Sequence, residues 1–255
     1  MTLTTIIFDV GGTLEEVDST PETLRQCGEK ILAFLEQHEI HLGVDADFFM
    51  ETALSRLDEY RVQHCESHRE LMPYEIWSQY YLRDFDVNQD VLRVISNDLT
   101  HIWEVSYLCR KLRPGASELL KSLKEKGYKL GVISNTLSLT QVYFSLEEYG
   151  VRKYFDYICL SSLSGFRKPH KALFTATARN LLSEPEQCVY VGDTVTDDVI
   201  GARNAGYGKT IRINSYLTGV TDLDPANTEE ADHLIGSLPE ISAILDAHNH
   251  CDCVK

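Results

Sequence analysis

A short apolar run, Thr5-Ile6-Ile7-Phe8, ends in a carboxylate, Asp9, and the chain then turns through Val10-Gly11-Gly12-Thr13-Leu14. A strand leading at once into an acid and a glycine-rich turn places that acid at the carboxyl edge of a sheet. Open α/β sheets bind their ligands at that edge.

Beyond this turn the chain divides in two. From Glu15 to Leu112 apolar residues recur at three- and four-residue spacing, first Ile31, Leu32, Phe34 and Leu35, then Phe48, Phe49, Leu54 and Leu57. That is the period of helices. Further helices are predicted over Pro73–Leu82 and Asp90–Cys109, and strand signals are nearly absent. From Arg113 onward strands and helices alternate. The predicted strands are Lys129–Ser134, Tyr157–Leu160, Cys188–Gly192, Thr210–Ile213 and His233–Ile235, with helices starting near Ala116, Ser138, Lys171, Thr196 and Pro239. Alternation of this kind implies a parallel sheet wrapped by helices. The first strand belongs to that sheet. The expectation is therefore an α/β Rossmann-like core, residues 1–14 and 113–255, with an α-helical cap inserted at 15–112. Only 34 positions separate Ser134 from Lys168, too few for another domain.

The size and charge agree. A chain of 255 residues is long for one compact core and comfortable for a core with an insertion. Its net charge of −15 argues against nucleic acid or an anionic membrane as the partner. No apolar run is long enough to span a membrane. Met1-Thr2-Leu3-Thr4 has no basic region ahead of the strand, so no signal peptide and a cytoplasmic location are expected. Seven cysteines without a framework read as reduced thiols. The tail His248-Asn249-His250-Cys251-Asp252-Cys253 could chelate a soft metal, but a frayed terminus is the simpler reading.

Three later segments carry chemistry that fits with Asp9. Ser134 and Asn135 end a predicted strand, where a hydroxyl and the amides of a helix start can cradle a phosphate. Lys168, in Gly165-Phe166-Arg167-Lys168-Pro169, can offset negative charge. Gly192-Asp193-Thr194, with Asp197 and Asp198, brings several carboxylates near Asp9. Such a cluster repels itself unless a cation sits inside it, and magnesium suits hard oxygen ligands. Singly, each segment has a plainer reading: a turn-capping aspartate, an N-cap serine, a solvated lysine. In this order, the four segments resemble the haloacid dehalogenase superfamily, whose members are mostly magnesium-dependent phosphatases with an aspartate nucleophile. The resemblance covers essentially the whole chain and implies a type C1 helical cap. It implies that Asp9 attacks phosphorus and forms an aspartyl-phosphate, and that Ser134, Asn135 and Lys168 bind the phosphoryl group. It also implies that Asp9, the backbone carbonyl of Gly11, and Asp193 bind magnesium, with Asp198 acting directly or through water. Asp197 is expected to face solvent at a helix start, and Arg167 to lie on the surface.

One departure stands out. Most phosphatases of the superfamily carry a second aspartate where this chain has Gly11. A positioned acid–base group contributes about 10²–10⁴-fold in rate, or roughly 3–5 kcal/mol. Three explanations compete. In the first, the leaving group needs no acid, as in acyl phosphates or phenolic esters. In the second, a cap residue such as His64, His68 or Glu15 donates the proton. In the third, the protein binds a phosphorylated ligand or partner and keeps only vestigial activity. Phosphonatases also lack the aspartate but need a cap lysine, and Lys30 and Lys111 sit in no recognisable context. Haloacid dehalogenases carry an aromatic residue there and no metal, which Gly11, Asp193 and Asp198 do not match. Residues 15–111 carry 20 acidic and 9 basic side chains, a balance that favours a small monophosphate over a polyanion. Trp77, Tyr80, Tyr81, Trp103 and Tyr107 could line its pocket, although aromatics at helical spacing are more often core. The expected activity is magnesium-dependent hydrolysis of a small phosphorylated metabolite.

Overall fold

A computed structural model describes residues 2–64, 66–218 and 230–252. Six strands form a parallel sheet: β1 (Thr5–Phe8), β4 (Lys129–Ser134), β5 (Tyr157–Leu160), β6 (Cys188–Gly192), β7 (Lys209–Ile213) and β8 (His233–Ile235). Their order is β5-β4-β1-β6-β7-β8. The chain first builds outward from β1 through β4 and β5, then returns to the other side of β1 with β6. The reversal happens beside β1, which is where open sheets form a crevice at their carboxyl ends.

Both faces are covered at the centre of this sheet, so β1 and β6 are buried along their whole length rather than alternating. Ile6 and Phe8 of β1 pack on one side with Leu130, Val132, Val189 and Val191. Ile7 points to the other, with Ile133, Phe174 and Tyr190. Register is set on both flanks of β1, where Phe8 pairs with Val132 and with Val191.

Residues 15–112 are helical in their interior but not at their ends. Helices Pro21–Gln37, Ala46–Gln63, Pro73–Ile76 (continuing as a π-helix over Trp77–Tyr81) and Gln89–Ser106 enclose a core of their own. Ile31, Leu35, Phe49, Trp77, Leu92, Leu99 and Trp103 form its centre, and Leu137 of the α/β part joins it. The ends, β2 (Glu15–Asp18) and β3 (Cys109–Leu112), pair as an antiparallel ribbon. This corrects the helical reading of Glu15 to Leu112, and the helix expected to reach Cys109 stops at Ser106. Charged residues disfavour strands locally. Here they pair across the ribbon: Glu16 lies opposite Lys111, with Oε2 and Nζ 2.8 Å apart. That complementarity joins positions nearly a hundred residues apart and is invisible in either segment alone.

The helix expected near Ser138 begins at Gln141, and the stretch expected from Thr196 is a π-helix over Val195–Val199 followed by Ile200–Asn204. No described helix is long and apolar enough to cross a membrane. Of the suggested chelating tail, Cys253 and the side chains of His250, Cys251 and Asp252 lie outside the described residues.

The helical core holds a polar pair that is almost wholly buried. Trp77 Nε1 donates to Thr100 Oγ1 at 2.8 Å, and Thr100 Oγ1 donates on to the Ser96 carbonyl at 2.7 Å. Thr100→Val leaves the buried indole N–H unpaired and is expected to cost about 1–3 kcal/mol in urea denaturation. An unchanged midpoint would contradict this packing.

Candidate active site

Three adjacent strands deliver the first three groups: β1 leads into Asp9, β4 ends at Ser134, and β6 leads into Asp193. Lys168 arrives from the loop before helix Lys171–Asn180. Its side chain is 4% exposed, and the ammonium donates to Asp9 Oδ1 at 2.7 Å, Asp198 Oδ1 at 2.6 Å and the Tyr190 hydroxyl at 3.3 Å. All three of its protons are thereby used. Asn135 fixes this loop: Oδ1 accepts the Lys168 N–H at 2.8 Å, while Nδ2 donates to the Lys168 carbonyl and to Asp197 Oδ2.

The acids are held as firmly. Asp198 Oδ2 accepts the amides of Asp193 and Thr194 and the Thr194 hydroxyl, at 3.1, 3.0 and 2.8 Å. Asp193 accepts from the Ser215 hydroxyl, and Thr218 Oγ1 donates to its carbonyl at 2.9 Å. Gly12 has φ +85°, and a Cβ there would collide with the Asp193 carboxylate. Only glycine fits both demands.

Burying these charges perturbs them. Burial pushes Asp9 up to about 6, with Lys168 pulling it down and Asp198 pushing it further up. Burial, then repulsion from Asp198 and Asp9, holds Asp193 well above the usual carboxylate range. For Asp198 burial is outweighed by Lys168 and the Thr194 donors, and its carboxyl stays below that range. Burial opposes the charge of Lys168, but Asp198 and Asp9 hold it protonated. One ammonium among three carboxylates leaves an excess of negative charge. Asp9, Asp193 and Asp198 each offer an oxygen within 4.8 Å of the others. A hard divalent cation fits such a donor set.

Above this cluster lies a cavity of about 140 Å³, walled on the sheet side by Asp9, Gly11, Ser134, Asn135 and Lys168. The helical segment closes it with Tyr60, Trp103 and Tyr107. Trp77 and Tyr81 stay in the helical core, Tyr81 stacking on Trp103 at 4.7 Å. The predicted residues Asp9, Gly11, Ser134, Asn135, Lys168, Asp193 and Asp198 thus meet at one cavity. The phosphate cradle differs from expectation, because the next helix starts at Gln141, later than the start expected near Ser138 and well past Ser134. The amides of Thr136 and Leu137 already donate to Ser161 Oγ and Glu104 Oε1, at 2.9 and 3.1 Å.

Two further expectations are corrected. Arg167 is not a surface residue: it lines the cavity, with its guanidinium 5.8 Å from the Tyr60 ring centre. Asp197 faces the same cavity, bound by Asn135, rather than open solvent. His64, His68 and Glu15 do not line it. Glu15 is instead buried against Arg110, 2.9 Å away, and accepts from the Tyr149 hydroxyl. The helical segment's cavity acids are Glu70 and Glu104. Glu70 accepts from Tyr60 and, at 2.7 Å, from Ser161. Burial pushes Glu104 up, with Arg110 and the Leu137 amide pulling it down. No local pattern marks these two among 20 acids, because they are selected only by tertiary packing. Arg167 had a signal in its position beside Lys168.

The haloacid dehalogenase-like hydrolase family matches residues 3–206, and the chain belongs to that family. It is 27% identical over 250 residues to a glyceraldehyde 3-phosphate phosphatase of Pyrococcus furiosus, covering 97% of this chain and 95% of the relative. Among solved structures it shares the fold of a phosphatase from Thermococcus onnurineus, with a TM-score of 0.57 and 24% identity over 95% and 98% of the two chains. A 2-haloacid dehalogenase from Pseudomonas syringae has a TM-score of 0.68 and 20% identity over 96% and 99%.

In metal-free buffer, the folded protein keeps the Asp9 proton to higher pH than the unfolded chain does. Its contribution to stability is therefore full below about pH 4 and is lost as pH rises through about 6. Asp198, shifted the other way, acts below this window. Between about pH 4 and pH 7 the urea-unfolding free energy of Asp9→Asn is expected to gain on that of the wild type. A pH-independent difference would contradict the burial of the Asp9 charge.

Proposed function

We propose that this haloacid dehalogenase-like hydrolase is a magnesium-dependent phosphatase that acts on a small phosphorylated metabolite through an aspartyl-phosphate on Asp9. The observation that carries the reading is the buried meeting of Asp9, Lys168, Asp193 and Asp198 in the wall of one cavity. Residues 1–14 and 113–255 would act as the catalytic core and 15–112 as the cap that selects the substrate. A space of about 140 Å³ suits a small molecule, and a relative named a glyceraldehyde 3-phosphate phosphatase supports the same size class.

Each residue has a distinct task. Asp9 is oriented by Lys168, which leaves one carboxylate oxygen to attack phosphorus. Lys168 also offsets the charge that gathers as two anions meet. The Ser134 hydroxyl with the Asn135 backbone amide would hold the phosphoryl oxygens, since the Asn135 side chain is committed to Lys168 and Asp197. The P–O bond to the leaving group breaks, and water then attacks the aspartyl-phosphate, releasing inorganic phosphate and restoring Asp9. Asp9, Asp193, Asp198 and the Gly11 carbonyl would hold magnesium, which supplies positive charge to the transferring group. With glycine at position 11 no acid stands there to protonate a poor leaving group, so alkyl esters should turn over slowly.

Steady-state hydrolysis with magnesium should be measured on acetyl phosphate, para-nitrophenyl phosphate and a panel of sugar phosphates. Asp9→Asn is expected to abolish turnover on all of them. Ligand-induced stabilisation without any Asp9-dependent turnover would instead favour a phospholigand-binding protein. Thermal melts give a second check. Magnesium should raise the wild-type Tm, and Asp193→Asn should lose that shift; an equal shift in both would remove Asp193 from the metal site.

A further inference from the structure

The space beside Gly11 is not empty. Gly11 has no positive φ, so its backbone would accept a side chain, yet a Cβ built there lies 3.3 Å from Arg110 Nη1. An arginine stands where a side chain at position 11 would project. Arg110 lines the same cavity as Asp9, Ser134 and Lys168, and its side chain is only 12% exposed.

The guanidinium is held on two sides. Nη1 donates to Glu15 Oε2 at 2.9 Å, Nη2 to Glu104 Oε2 at 3.4 Å, and Nε to the Glu104 carbonyl at 3.1 Å. Glu15 is tied in turn by the Tyr149 hydroxyl, and Glu104 by the Leu137 amide. Among the described residues these bonds take three of the five N–H groups of the fork, and one remains on each terminal nitrogen. Arg110 is thus a rigid, partly uncommitted cation on the wall beside Gly11. The cavity's other cations are differently engaged: Lys168 with Asp9 and Asp198, Arg167 beside Tyr60, and Arg61 near Asp58.

We propose that Arg110 is the leaving-group residue of this site, stabilising the charge that develops on the departing oxygen in place of protonating it. The proposal rests on the phosphatase reading and names its substrate class: phosphates whose leaving oxygen can depart as an anion yet carries substantial charge as it does so, above all phenolic and enol phosphates. Asp9 forms the new bond to phosphorus, and the electron pair of the breaking P–O bond passes to the leaving oxygen. The two remaining N–H groups of Arg110 donate to that oxygen. It takes its proton from water after departure, and a second water hydrolyses the aspartyl-phosphate. Charge stabilisation of this kind gains most where the oxygen carries most charge in the transition state. Glu104 is the rival, since its carboxyl lines the same cavity and could donate a proton. It serves here as an acceptor for Leu137 and Arg110. The side chains in contact range of a Cβ at position 11 are Arg110, at 3.3 Å, and the apolar Leu217, at 3.9 Å, so Arg110 is the polar one.

The test is the leaving-group dependence of kcat/KM across substituted phenyl phosphates, with magnesium, for wild type, Arg110→Gln, Arg110→Lys and Glu104→Gln. Arg110→Gln should lose little on para-nitrophenyl phosphate and about 10²-fold on phenyl phosphate, the scale of removing one oxyanion donor. Arg110→Lys, which keeps the charge and guards against misfolding of the Gln variant, should fall between. A uniform loss across the series in both Arg110 variants, or a steepening in Glu104→Gln alone, would overturn the proposal. Loss of Asp9 dependence in the wild type would instead defeat the phosphatase reading itself, and binding of inorganic phosphate to each variant, monitored by thermal melts, reports whether the cavity survives.

Discussion

The Lys168 ammonium is the interaction on which the site depends. It sits under the carboxyl ends of β1, β4 and β6 and binds two of the three buried carboxylates at once. Without it, Asp9 and Asp198 would face one another in a medium that screens charge poorly. Even with it, Asp9 and Asp193 are held above the ordinary carboxylate range, first because burial strips them of water and then because one cation cannot balance three anions. The fold bears that electrostatic cost at the edge where its topology opens a crevice. A buried set of acids that cannot all ionise cheaply is poised to receive a cation and an electrophile.

The helical segment does more than cover this cluster. It enters the cavity wall through Glu70, Glu104 and Arg110, and each is bonded to the α/β part or to the ribbon that joins them. The Glu70 amide donates to the Gly165 carbonyl at 3.0 Å, and the Arg167 amide to the His68 carbonyl at 2.8 Å. The loop that carries Lys168 is therefore pinned to the helical segment on one side and to Asn135 on the other. Positioning of the Lys168 ammonium and enclosure of the cavity are a single mechanical arrangement.

Much of this was legible in the sequence, and the reason is local. Strands buried on both faces read as unbroken apolar runs, so β4, β5 and β6 match their expected bounds; the edge strand β8, only partly buried, also matches, and β7 begins one residue early. Asp9, Ser134 and Asp193 sit at strand ends, where position in the chain fixes position at the sheet edge. What escaped was decided by tertiary contact. The ribbon is built from charged residues that pair only after the chain returns on itself. Arg167 reads as a solvated residue of a polar loop, yet it is turned inward toward Tyr60. Arg110 is one of nine basic residues between positions 15 and 111, and nothing in its neighbours announces that it will stand beside Gly11.

The central claim is that Asp9 becomes covalently phosphorylated. Mixing the magnesium-loaded protein with acetyl phosphate, quenching in acid within the first turnovers and mapping peptides by mass spectrometry tests it directly. A single phosphoryl addition on the peptide containing Asp9, absent from Asp9→Asn, is the expected result. Steady turnover of the wild type with no adduct at Asp9 at any quench time would contradict it.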